Sequence, residues 1–149
     1  MLFSTPAEYA IRGVAELACK SPDRYMLLDE LVQGTDLPRD FMAKVFQRLV
    51  KGNVLKSVKG RNGGFMLARR PHEINLMHVI EAIEGPLPLD GCVVGLSQCN
   101  DAMPCAQHDL YKPIRQRLKD YMNTTTVADL AASLKAKKSW QQAQETAAK

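Results

Sequence analysis

Three cysteines and a histidine stand close together in the second half of the chain, spaced Cys92-x6-Cys99-x5-Cys105-x2-His108. Thiolates suit iron–sulfur clusters, zinc and copper(I). Three of them on one loop containing proline and glycine can bend toward a common point. A fourth cysteine, Cys19, lies apart on the apolar side of a helical stretch and reads as a small buried hydrophobe. Four cysteines in a chain without a secretory pattern argue for metal or redox use over structural disulfides. A zinc site of three cysteines and one histidine is chemically reasonable. Zinc ligands, however, usually arrive as close Cys-x2-Cys pairs, and none is present. Unrelated loop cysteines are the plain alternative, and spacing alone does not choose.

A second chemistry is written in charge. From Leu37 to His72 there are nine cations, Arg39, Lys44, Arg48, Lys51, Lys56, Lys59, Arg61, Arg69 and Arg70, against the single anion Asp40. That segment carries +8 in a chain of net +4, so the remainder is at −4. A charge run is often only a solvated face. One this lopsided in an otherwise acidic chain favours a polyanionic partner.

Both chemistries need elements to position them. Thr5 and Glu8 have capping-box spacing, Pro6 suits a first turn, and apolar residues then recur at helical period, predicting a helix over about 6–19. A short helix over about 28–33 closes at Gly34. Thr35 to Pro38 make a turn, and an amphipathic helix follows over about 39–51 with Phe41, Phe46 and Leu49 facing inward. Two helices on a tight turn are a helix-turn-helix candidate. Residues 54–59 and 65–68 flank Gly60-Arg61-Asn62-Gly63-Gly64, which predicts a β-hairpin with a glycine-rich tip, or wing. A short helix over 76–84 ends at Gly85. A loop to about Pro104 is long for a compact domain and is therefore expected to be functional or disordered. A helix over about 105–122 carries the stripe Leu110, Ile114, Leu118 and Tyr121, with Pro113 a possible kink. A last helix over about 127–135 precedes a polar tail expected to be mobile.

The expected fold is mostly α with a small β-hairpin. It comprises a winged helix-turn-helix domain (1–85), a cysteine-containing loop (86–105), two C-terminal helices (106–136) and a flexible tail (137–149). Arg39, Lys44, Gln47 and Arg48, with Pro38 at the helix start, are the candidates for base and phosphate contacts in a major groove. Lys59, Arg61, Asn62 and Gly63 would let the wing approach phosphates and a minor groove, with affinity falling steeply with salt. No apolar run approaches the length of a membrane span. No signal-peptide pattern opens the chain, so a cytoplasmic location is expected. There is no dinucleotide fingerprint, phosphate loop or Ser-His-Asp set, so an enzyme is not expected. An iron–sulfur electron carrier is a remote alternative.

Several stretches together resemble the IscR-, NsrR- and RirA-type winged-helix regulators: Ser4 to Ala10, Val45-Phe46-Gln47-Arg48-Leu49, Val58 to Phe65, and Val79 to Gly85, followed by the three cysteines. The resemblance covers about residues 1–135 and implies a homodimeric DNA-binding repressor, formed largely through the long C-terminal helix and acting on an operator. It implies an iron–sulfur cluster, 2Fe-2S or 4Fe-4S, on Cys92, Cys99 and Cys105. That cluster would sense redox state, nitric oxide or iron–sulfur status. It offers two fourth ligands: His108, as in IscR-like members, or Glu8 from the other subunit, as in NsrR-like ones. The x6 gap departs from the x5 common among IscR- and NsrR-like members. A structural zinc site or a direct thiol switch on the same scaffold is the alternative.

Overall fold

A computed structural model describes residues 2–148. Helix α1 spans Thr5–Lys20, α2 Leu28–Val32, α3 Arg39–Lys51, α4 Leu76–Glu84, α5 His108–Thr124 and α6 Val127–Ala147. Strands β1 (Leu55–Val58) and β2 (Gly64–Leu67) pair antiparallel with Leu55 opposite Leu67 and Val58 opposite Gly64. A helix-turn-helix followed by this hairpin is a winged helix, as the sequence predicts.

The period of apolar residues decides the packing. Ala10, Val14 and Leu17 on α1, Met42, Val45, Phe46 and Leu49 on α3, and Val79 and Ile83 on α4 form one buried core, which Val127 and Ala131 of α6 complete. Phe46 meets Phe65 of β2 edge to face, ring centroids 5.1 Å apart, and thereby fixes the wing to α3. The wing is also held from its other side, where the backbones of Met26 and Phe65 exchange hydrogen bonds of 2.8 and 2.9 Å. A second, smaller cluster of Leu76, Ile80 and Met122 packs with Phe3, Leu87, Leu89 and Leu118. It roots the start of the cysteine loop between α4 and α5.

Three local expectations change. Ser4, not Thr5, caps α1, its hydroxyl accepting from the Ala7 N–H, and Glu8 is not part of a capping box. The Ser4 N–H donates instead to Glu84, 80 residues away, a partner no local pattern contains. Helix α5 begins at His108, because Cys105 to Gln107 form a turn closed by the His108 N–H on the Cys105 carbonyl; it continues through Pro113. Helix α6 does not stop near Lys135 but runs to Ala147. Thr126 and Asp129 give it a true capping box. Its later residues are helix formers without glycine or proline, and Lys138 reaches the buried Glu16 carboxylate at 2.6 Å.

Candidate functional site

Helix α3 presents two different kinds of cation. Lys44 and Gln47 are exposed and point away from the buried face of Met42, Val45, Phe46 and Leu49. Pro38 stands exposed at the helix start. Arg39 is also exposed but ion-paired with Asp29 and Asp40, so it must exchange partners to reach a base. Arg48 is exposed too, but its guanidinium donates to the Ile83 carbonyl at the end of α4. Arg48 therefore braces the reading helix against α4, a role that its position among other cations concealed.

At the wing, Lys59, Arg61 and Asn62 are exposed. Gly63 is buried: a Cβ there would sit 2.2 Å from the Val58 carbonyl oxygen, and at Gly64, with φ +116°, 2.1 Å from that of Met26. The two glycines let the hairpin close on itself and on the backbone of Met26, so the tip projects its cations from a fixed base. A reading helix and a cationic wing on one rigid core can address a major groove and the adjoining backbone.

The cysteine loop is built differently. Its root is apolar, through Leu87 and Leu89, but beyond them it is staked to α5 by polar contacts. Lys119 pairs with Asp90. Arg115 donates to the Gly91 carbonyl at 3.0 Å and approaches the Cys99 sulfur at 3.9 Å. Lys112 meets Asp101 at 2.6 Å. Lys112, Arg115 and Lys119, spaced by three and four, share one helix face. The sequence carries that spacing openly, but it reads as a solvated stripe until the loop is seen lying on it. Leu110 and Ile114, 67% and 59% exposed, belong to a different face.

All four cysteines are free thiols, half-buried. Cys19 packs at the core margin and donates to the Ala131 carbonyl at 3.2 Å; burial, reinforced by Glu16, pushes its thiol up. Cys92 shows the reverse. The N–H groups of Val94 and Leu96, with Cys105 as a side-chain partner, hold it below the ordinary thiol range. The Cys99 sulfur lies 3.3 Å from Nδ1 of His108, whose residue is 5% exposed. Among the described residues no three thiol, imidazole or acidic groups converge as a single ion would require. Cys99 and His108 stand within hydrogen-bond distance of each other; Cys92 and Cys105 complete the set of donors on the loop. Glu8, half-buried in the first turn of α1, has no ion-pair or hydrogen-bond partner for its carboxylate among the described residues.

No helix among the described residues is long and apolar enough to cross a membrane. The profile of the Rrf2 family, described as iron-dependent transcriptional regulators, matches residues 3–133. A protein of Aquifex aeolicus assigned as an HTH-type transcriptional regulator is 33% identical over 132 residues, 87% of this chain and 91% of its own. IscR of Pectobacterium atrosepticum is 25% identical over 130 residues, 87% of this chain and 79% of its own. Among solved structures, CymR, the global cysteine regulator of B. subtilis, aligns with a TM-score of 0.73 at 25% identity, over 89% of this chain and 98% of CymR. These proteins are regulators of transcription, not enzymes, and this chain belongs with them to the Rrf2 family.

Proposed function

We propose that the chain is a homodimeric, operator-specific repressor whose DNA affinity is set by an iron–sulfur cluster on Cys92, Cys99, Cys105 and His108. The observation that carries this reading is the donor set, three free thiols on one loop with the Cys99 sulfur 3.3 Å from Nδ1 of His108. A two-iron cluster takes two donors on each iron, and mixed cysteine and histidine ligation is compatible with it. The donor set fits such a group. When bound, it would supply lability to oxidation, nitric oxide and iron supply.

The chain's own residues supply the rest. The N–H groups of Val94 and Leu96 favour Cys92 as thiolate, the form that binds metal. Arg115 and Lys119 hold the loop on α5. Glu84, one residue before Gly85, receives the Ser4 N–H and ties the loop's origin to α1. Arg48 ties the same end of α4 to the reading helix. A change in the loop therefore has a short covalent and hydrogen-bonded route to α3. The exposed Leu110 and Ile114 with Tyr121 supply an apolar seam for a second copy of the chain. Lys44, Gln47, Lys59, Arg61 and Asn62 are the DNA contacts of this reading, with Pro38 and Arg39 at the helix entrance.

A direct thiol switch is the second reading. It draws on the Cys99–His108 contact and on the likeness to CymR. Anaerobic purification of wild type and Cys99→Ala, with visible absorption and iron, sulfide and zinc analysis, separates the two. Matched iron and sulfide in a coloured protein, lost in Cys99→Ala, is the expected result. Glu8→Ala that also loses iron would move the fourth ligand from His108 to Glu8. Stoichiometric zinc, or a colourless metal-free protein after reconstitution, sinks the cluster reading.

A further inference from the structure

The contacts behind His108 specify more than its presence in the site. Its Nε2 lies 2.8 Å from Oδ1 of Asp101, while Nδ1 faces the Cys99 sulfur at 3.3 Å. A carboxylate only accepts hydrogen bonds, so a neutral imidazole in this contact carries its proton on Nε2 and its lone pair on Nδ1. Asp101 has a second partner. Lys112 Nζ sits 2.6 Å from the same oxygen, one turn beyond His108 on α5. The Asn100 side chain accepts from the Ala102 and Met103 N–H groups at 3.1 and 2.9 Å, shaping the turn that presents Asp101. His108 is 5% exposed, which leaves its ring little access to water as a substitute partner.

We propose that Asp101 is a positioning residue that holds His108 as the Nε2–H tautomer, making Nδ1 the atom that takes the iron. The inference rests on the cluster reading above, and adds which nitrogen binds and what chooses it. Metal-binding histidines gain orientation and basicity from a carboxylate on the far nitrogen. Lys112 and Asp101 connect α5 to the loop, so the orientation is set across the two elements that must meet to form the site.

The test has two arms. In the metal-free full chain, NMR of 15N-histidine protein reads which ring nitrogen of His108 carries the proton, with His108→Gln assigning it among three histidines. In the reduced, iron-loaded chain, pulsed EPR with histidine labelled only at Nδ1 reads the bound atom. A proton on Nε2 and strong coupling from Nδ1 are expected. Asp101→Asn should mix the tautomers and weaken metal retention by about 10- to 100-fold, and Asp101→Glu should restore both. A proton on Nδ1 in the metal-free protein, coupling from Nε2, or an Asp101→Asn protein matching wild type in both arms overturns the proposal. A chain that takes up no iron overturns the cluster reading and the ligand half of this proposal together. A proton on Nε2 in that protein would mark the failure as one of metal binding, not of the Asp101 contact.

Discussion

Phe46 and Met103 are both large apolar residues, one with none of its surface exposed and the other with 85% exposed. They stand for two ways of holding a functional element. The reading helix and wing are fastened by a core that runs through α1, α3, α4 and α6, so their shape follows from burial of apolar surface. The loop over 90–107 adds no residue to either buried cluster. Its form depends on three cations of α5, an Asx-type turn and backbone N–H groups around one thiol. Under the proposed function, the part that would meet DNA is held by the core, and the loop that would hold the cluster has the few apolar contacts of a segment of low local stability.

The widest difference between the two regions should appear on truncating an apolar side chain in each. Phe46→Ala should cost about 3–5 kcal/mol in urea titration, whereas Leu96→Ala, at a loop side chain 56% exposed, should stay within about 0.5 kcal/mol. Similar losses at both sites would mean that the loop is held by apolar burial as the core is. A smaller loss is expected at the wing base. Gly64→Ala forces a Cβ against the Met26 carbonyl and should cost about 1–3 kcal/mol, weakening DNA binding more than it weakens the global fold.

Cations on α3 can be sorted next. Lys44→Ala should make the salt dependence of operator binding shallower by about 0.9 in the slope of log K against log salt, as loss of one phosphate contact does. Arg48→Ala should leave that slope unchanged and instead lower stability by about 1 kcal/mol, a modest figure because the arginine is largely exposed. An Arg48→Ala slope as shallow as that of Lys44→Ala would return Arg48 to the DNA.

The smallest effect is confined to the loop. The Lys119 contact holds the Asp90 carboxyl below the usual carboxylate range, and Lys112 with His108 does the same for Asp101. Because both are depressed, their contribution is complete above the ordinary carboxylate range and is lost as pH falls through the lowered values. Amide exchange of 90–107 should therefore rise in acid before that of α3 does. Simultaneous loss in both regions would mean that the loop is not a separate unit.

These contrasts also explain what could be read from the sequence. Helices α1 to α4 and the hairpin were legible because amphipathic period, Gly34 and the glycine-rich tip all act locally. The cysteine and histidine donors were legible by chemical type. The contact of Cys99 with His108 was not, since it depends on how the loop lies against α5. Arg48 shows the same limit: its partner, the Ile83 carbonyl, is 35 residues away, and only tertiary packing brings the two together. Lys138 and Glu16 are 122 residues apart, which is why the far half of α6 read as a tail. Ser4 and Thr5 both carry a capping hydroxyl, and Ser4, whose own N–H meets the distant Glu84, is the one that caps α1.

The Arg48 brace gives the operator a part to play. Any duplex that holds α3 in one position also holds the last turn of α4, and through it the first residues of the loop. A coupling free energy has no direction. Whatever factor a group bound at the loop would apply to the grip on DNA, the DNA would apply to the grip on that group. Strong operators in a genome would then act as a reservoir, shifting how long each protein copy keeps its loop in one state. The regulated sites would help to set the threshold at which they are themselves released.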